Sequence, residues 1–400
     1  MKNKALPAAI VVTALSLACL GVDNSAQSSK EAVPDLRQSL HLIQAVETSV
    51  YKYGHVYFDK ESARIIIRGS NWVRIFNVPS IDLETTITPC SGGKFSTGMF
   101  DGFKKLIAVG CFEGGIAEVW DVPSSRRIRQ FRIGNANGPS ITTQMSPDES
   151  TLVLYNAHGG PVELWHIETE RKIATLMPLL SEGVLDADAV EFSPDSRIVA
   201  VSYNRYIYLW NVFTGEMLSR LVDDSDNLRY SWDGKAAHRN FIYRLLFTAD
   251  SKYLLSGSVD TEVKLWSTAT GKLVRTFKGH RDRIFALALS PDGKTLATGS
   301  RDEKVKLWDM ETGRCLWTSP SHKSYVWKIF FSPDGKRFLT MTDGGNIGDK
   351  NEIRMWETAT GRLLGKMPGI WWQSFFSQDW KYFVTRGKKE GTIELYEFVE

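Results

Sequence analysis

The chain has 400 residues, more than one ordinary core of about 100–200 residues holds, so it is either several domains or one large all-β or barrel architecture. Lys plus Arg number 49 against 46 Asp plus Glu, a formal net charge of +3, which excludes a broad electrostatic case for nucleic acid as partner. With 42% hydrophobic and 24% charged residues the chain is globular rather than disordered, and its 13 Trp, 13 Tyr and 20 Phe are an unusual load of large flat side chains.

Lys2 and Lys4 form a short basic region ahead of Ala5 to Leu20, which is apolar apart from Thr13 and Ser16. That run is short for a membrane span of roughly 20 residues and contains Pro7, so it reads as an export signal rather than an uncleaved anchor. Ser16-Leu17-Ala18 suits signal peptidase. Leu15-Ser16-Leu17-Ala18-Cys19 also resembles a bacterial lipoprotein signal, in which the cysteine becomes the lipidated first residue. Ser16 stands where that pattern prefers an aliphatic residue. The expected organisation is a signal peptide at 1–18, a polar tether at 19–35 and a folded domain at 36–400. The expected location is the periplasm or cell envelope, with Cys19 as the candidate lipidation site and a possible membrane tether. Beyond Cys19 only Cys90, Cys111 and Cys315 occur. Their odd number and spacing predict small buried apolar residues, with neither a metal motif nor a disulfide framework.

A four-residue motif ending in an aromatic recurs along the chain. It begins with Val73-Arg74-Ile75-Phe76, Ala117-Glu118-Val119-Trp120, Val162-Glu163-Leu164-Trp165 and Ile207-Tyr208-Leu209-Trp210. It continues with Val263-Lys264-Leu265-Trp266, Val305-Lys306-Leu307-Trp308, Ile353-Arg354-Met355-Trp356 and Ile393-Glu394-Leu395-Tyr396. A reverse turn precedes many copies: Ser146-Pro147-Asp148, Ser193-Pro194-Asp195, Ser290-Pro291-Asp292 and Ser332-Pro333-Asp334, with Thr248-Ala249-Asp250 and Ser377-Gln378-Asp379 as degenerate forms. A Thr-Gly turn follows at Thr214, Thr270, Thr312 and Thr360. Apolar runs such as Ile65-Ile66-Ile67 and Leu152-Val153-Leu154 predict strands buried on both faces. Each unit is therefore four short antiparallel strands. Radial stacking of such sheets covers both faces, which predicts a single all-β propeller.

Eight motifs predict eight four-stranded blades of about 45 residues each, or seven if the weak first copy lies outside the ring. The last copy ends with the chain and lacks an outer strand. Ile43 and Val46 fit the apolar pattern of outer strands, so the N-terminal segment is expected to supply it and close the ring. A short helix from Asp35 through Leu36, Leu40 and Ile43 is the competing reading.

The motifs resemble the WD-repeat family over about residues 36–400. Trp120-Asp121 and Trp308-Asp309 carry its dipeptide and Gly279-His280 its second signature. The resemblance implies hydrogen-bonded tetrads in which Asp orients His, and His orients a hydroxyl and an indole. By position these are His238, Ser256, Asp260 and Trp266; His280, Thr298, Asp302 and Trp308; and His322, Thr340 and Trp356 with Asp343 or Asp349. Other blades lack the set. Asn204 and Gly114 take the Asp place in two of them, which are expected to lean on packing.

No phosphate loop, zinc helix or nucleophile elbow occurs, and no catalytic, cofactor or metal residue is expected. His41, His55, His158 and His166 are scattered. Asp223, Asp224 and Asp226 read as a solvated loop. Asp309 to Thr312-Gly313 followed by Trp317 resembles a quinoprotein repeat but occurs once, and reads as chance. The functional expectation rests on one row. Arg239, Arg281, Arg283 and Lys323 follow the tetrad histidines, while Tyr243, Phe285, Trp327 and Trp372 hold equivalent places in first strands. The row suits an acidic, partly apolar protein segment. The insertions Asp223 to Ala237 and Gly344 to Lys350 are expected to open on the same face. The expected function is a non-catalytic scaffold for protein partners. The alternatives are an enzyme or small-ligand binder at the channel mouth, and an envelope-assembly lipoprotein.

Overall fold

Apolar runs bounded by turn residues become the strands. Ile65, Ile66 and Ile67 are all fully buried, as are Leu152, Val153 and Leu154, because every sheet is covered on both sides. The computed structural model describes residues 33–50, 55–59, 63–69, 71–93, 105–111, 114–133, 141–156, 160–177, 187–224, 236–343, 351–368, 374–386 and 391–399.

The strands form an eight-bladed β-propeller. Blade 1 covers 55–87, blade 2 106–132, blade 3 141–176 and blade 4 187–221. Blade 5 covers 242–277, blade 6 284–318 and blade 7 325–368. Blade 8 joins 374–398 to the N-terminal strand Leu40–Val50. Each sheet has four antiparallel strands, except that blade 2 has three among the described residues. Eight apolar clusters each join two neighbouring blades. One of them packs Phe375, Val384 and Ile393 of blade 8 on Val56, Ile65 and Phe76 of blade 1, so the ring is closed. No helix among the described residues is long and apolar enough to cross a membrane.

The closing strand pairs Leu40 with Phe398 and Val46 with Ile393 in antiparallel register. The strand reading holds from Leu40, and the helix reading does not reach Leu40 or Ile43. Leu36–Ser39 is one turn of 3-10 helix capped by Asp35, and the strand follows directly. Leu36 lies against Gly365 of blade 7, where an added Cβ would sit 2.4 Å from its Cδ2. Lys366 N–H donates to the Pro34 carbonyl at 3.0 Å. The segment therefore fastens blade 7 as well as blade 8.

The six turns share one construction. In each, a hydroxyl donates to the carboxylate two residues on and accepts the N–H five residues on. Ser290 reaches Asp292 Oδ1 at 2.5 Å and accepts from Thr295 N–H at 2.9 Å. The degenerate pairs Thr248–Asp250 and Ser377–Asp379 do the same at 2.6 Å. The Ser290 hydroxyl, with the Lys294 N–H, holds the Asp292 carboxyl below its ordinary range. Proline is thus dispensable there, and the hydroxyl–carboxylate pair defines the turn.

Candidate partner-binding face

In an antiparallel blade, the connection entering the first strand and the turn after the second strand share one end. The Ser-Pro-Asp and Thr-Gly turns share the other. The tetrads sit at the first end. In blade 5, His238 Nδ1 is 2.9 Å from Asp260 Oδ2 and its Nε2 is 2.7 Å from Ser256 Oγ. Trp266 Nε1 donates to the same Oγ at 2.8 Å. Blade 6 repeats this with His280, Asp302, Thr298 and Trp308 at 2.8, 2.7 and 2.8 Å. Burial alone would raise the Asp260 carboxyl, but His238 and the N–H groups of Arg239 and Glu262 outweigh it and hold it far below its ordinary range. Asp302 is lowered in the same way against its burial.

Blade 7 departs from the expected set. His322 Nε2 meets Thr340 Oγ1 at 3.0 Å, and Trp356 Nε1 donates to that oxygen at 3.0 Å. The partner of His322 Nδ1 is the Glu303 carbonyl of blade 6, at 3.0 Å. A carbonyl only accepts, so Nδ1 carries the proton. Asp343 accepts instead from the Tyr325 hydroxyl at 2.8 Å, and Asp349 lies outside the described residues. Burial, with Arg354 and Lys304 nearby, drives the His322 pKa down to about 3.

The expectation that other blades lean on packing is corrected by a glutamate. Glu118 Oε2 accepts from Trp120 Nε1 at 3.1 Å, and Glu163 Oε2 from Trp165 Nε1 at 3.0 Å. Arg127 and Lys172 hold the other oxygens at 2.7 and 3.2 Å. Glu394 accepts from the Tyr396 hydroxyl at 2.6 Å. Residues two apart in a strand share a face, so a glutamate there reaches the aromatic. The signal was legible in the motif: Glu118, Glu163 and Glu394 stand where Lys264, Lys306 and Arg354 stand in the histidine blades. In blade 4, Asn204 adopts φ 60° and Asp188 Oδ2 takes its N–H at 2.5 Å. The indole N–H of Trp210 has no partner among the described residues.

The cysteine reading is also corrected. Cys90 and Cys111 are joined by a disulfide across 21 residues, with Cα atoms 5.5 Å apart. Counting fails because parity says nothing about which thiols become neighbours across two blade segments. Among the described residues Cys315 is free and half-buried. Cys90, Cys111 and Glu118 lie close enough to share an ion, but the disulfide uses both thiols.

The acidic run is not uniformly solvated. Asp224 is exposed and Asp226 lies outside the described residues, but Asp223 is buried on Lys264 Nζ at 2.6 Å. Trp317 packs between blades 6 and 7, its ring 5.1 Å from that of Trp356 and filling the space beside Gly361.

The basic row stands on fixed backbone. Arg239 and Arg281 N–H groups donate to Asp260 and Asp302 at 2.9 Å, and Lys323 N–H donates to Glu352 at 3.1 Å. All three residues are exposed, whereas Arg283 is half-buried. Tyr243, Phe285 and Trp327 each occupy a bulge of a first strand. A bulge re-aims its side chain, and three in register bring the rings together. Tyr243 stacks on Phe285 at 5.7 Å, and Phe285 meets Trp327 at 5.3 Å and Tyr325 at 5.4 Å. The Arg244 guanidinium lies 4.9 Å over Trp327 and donates to the Phe285 carbonyl at 2.7 Å. Trp372, like 225–235 and 344–350 of the two insertions, lies outside the described residues.

The family description "WD domain, G-beta repeat" matches residues 181–211, 231–267, 271–309 and 313–357. These four stretches are similar to WD40 repeats. They coincide with blades 4 to 7, which include the three histidine blades, while the glutamate and disulfide blades fall outside the match. Target of rapamycin complex subunit LST8 of Bos taurus is 24% identical over 189 residues, 44% of this chain and 54% of the relative. The SAGA complex/transcription factor TFIID complex subunit Taf5 of Schizosaccharomyces pombe is 36% identical over 88 residues, 21% of this chain and 13% of the relative. The chain thus spans about half the length, or less, of these curated relatives. The crystal structure of the computationally designed Ika8 protein superposes with a TM-score of 0.66 at 19% identity, over 89% of this chain and 98% of that one. That likeness concerns the fold.

Proposed function

We propose that this propeller is a non-catalytic scaffold of the cell envelope, exported and tethered through a lipidated Cys19, which docks protein partners on the histidine end of blades 5 to 7. The observation that carries the reading is the stacked row of Tyr243, Phe285 and Trp327 beside the exposed Arg281 and Lys323. Pinned backbone and packed rings lose little entropy on binding, which favours a rigid docking surface. The charge and ring chemistry fits an acidic segment with apolar side chains. Relatives named as complex subunits support protein partners. The Cys90–Cys111 disulfide supports export, because such bonds persist in oxidising compartments.

Combined Arg239→Glu, Arg281→Glu and Lys323→Glu substitution is expected to abolish partner capture from envelope extract, with the fold intact by circular dichroism. Unchanged capture removes this face from consideration. Mass spectrometry of the mature N-terminus tests the tether. A lipid-modified Cys19 is expected, and an intact Met1 in membrane-free extract overturns export.

A further inference from the structure

We infer that Lys264 and Asp223 join in an intramolecular isopeptide bond that fastens blade 4 to blade 5. Lys264 Nζ lies 2.6 Å from Asp223 Oδ2, and the two residues are separated by 41 positions on neighbouring blades. Both side chains are almost wholly removed from solvent. The Ala237 carbonyl accepts from Nζ at 2.9 Å and fixes its direction. Leu221, Ala237, Ile207 and Trp266 form the buried apolar cluster between the same blades.

A third group completes the chemistry. Glu262 Oε2 lies 3.8 Å from Lys264 Nζ, and Glu262 is itself buried. Its other oxygen, Oε1, is occupied by Lys278 at 3.0 Å and neighboured by Arg239 at 3.9 Å. Oε2 is therefore the oxygen turned to the amine. The Glu262 backbone is pinned by its N–H to Asp260 Oδ1 at 3.1 Å. Other cations two before a blade aromatic are placed differently. Lys306 Nζ reaches the Thr318 hydroxyl of its own blade at 2.9 Å, and Arg354 pairs with Glu352 of its own strand at 2.6 Å.

The step balances without an oxidant or co-reactant. A proton passes from the Lys264 ammonium to the Asp223 carboxylate across their hydrogen bond, since a low-dielectric site penalises the charged pair. The Nζ lone pair then attacks Cγ of the carboxylic acid and forms the C–N bond. Glu262 Oε2 takes a proton from the nitrogen of the tetrahedral intermediate and returns it to the departing hydroxyl. The Cγ–OH bond breaks, one water leaves and an amide is left. Proximity supplies much of the rate, as nucleophile and carbonyl are held together by the fold.

Tryptic mapping of the purified full chain tests this. Trypsin does not cleave after an acylated lysine, so 221–229 is expected covalently joined to 253–272. The joined species is lighter than its parts by one water, about 18 Da. Recovery of free 221–229 with separate 253–264 and 265–272 peptides overturns the bond. Lys264→Arg keeps a cation against Asp223 but removes the nucleophile. It is expected to fold, to give no joined species and to melt several degrees lower. Glu262→Gln is expected to leave much of the freshly purified chain unjoined, and a variant as fully joined as the wild type overturns the role of Glu262. The wild-type digest decides the bond itself even if either variant misfolds.

Discussion

Cys90 is bonded to Cys111 at the same end of blade 2 as that at which a histidine meets a hydroxyl in blades 5 to 7. Cys90 lies in the connection entering the blade and Cys111 just past the second strand. Val109 pairs with Glu118 where Ser256 pairs with Lys264 and Thr298 with Lys306, so blade 2 has no hydroxyl at that place. A covalent link does what the tetrad does elsewhere. The Cys90 N–H also donates to Glu118 Oε2 at 3.0 Å, which joins the disulfide to the indole of Trp120.

Replacing both cysteines by serine is expected to destabilise the chain by about 3 kcal/mol, from the chain entropy released when a loop of this size is opened. Thermal melts with and without reductant check it. Wild type in reductant should match the double variant in buffer, and the double variant should not respond to reductant.

His280→Ala strands the Asp302 carboxylate and the Thr298 hydroxyl in a buried site. The expected cost is about 2–3 kcal/mol. Lys172→Ala removes the partner of Glu163 but leaves the Trp165 hydrogen bond, and Lys172 is half-exposed. Its expected cost is about 0–1 kcal/mol. Urea unfolding of the two variants measures the difference, and equal costs would contradict it.

Stability should fall with acid in two stages. His322 takes a proton in the unfolded chain near 6.5 but in the fold only near about 3. Across that window the unfolded state binds the extra proton, so stability declines as pH falls. Asp260 and Asp302 are shifted down by their histidines. Their contribution is whole above the ordinary carboxylate range and is lost below about pH 4. Urea midpoints from pH 7 to pH 4 should slope in the wild type and flatten in His322→Gln.

Phe285 and Arg281 separate packing from recognition. Phe285 touches Tyr243, Tyr325 and Trp327, so Phe285→Ala is expected to cost about 2 kcal/mol and partner capture together. Arg281 is exposed, and Arg281→Glu should change stability by less than about 0.5 kcal/mol while weakening capture. Capture assays beside denaturant titrations give both quantities.

Deleting residues 1–50 removes the strand paired with Gly391–Phe398 and bares that edge. Aggregation and a broadened melt are expected. A synthetic peptide of residues 33–50, added during refolding, should restore solubility by re-forming the pairing.

Local patterns in the sequence determined the architecture. The aromatic motif, the hydroxyl–carboxylate turns and the two-sided apolar runs are all read within a few residues, so eight four-stranded blades and the closing strand at Ile43 and Val46 followed from them. The glutamates at 118, 163 and 394 were legible in the same way, because residues two apart in a strand share a face, although the family pattern drew attention elsewhere. The tertiary structure alone decided which distant groups meet. It paired Cys90 with Cys111, gave His322 the Glu303 carbonyl in place of an aspartate, buried Asp223 on Lys264 and stacked three bulge rings into one row. Those contacts join segments of different blades or distant parts of one, and their geometry is set by how the ring closes rather than by any run of neighbouring residues.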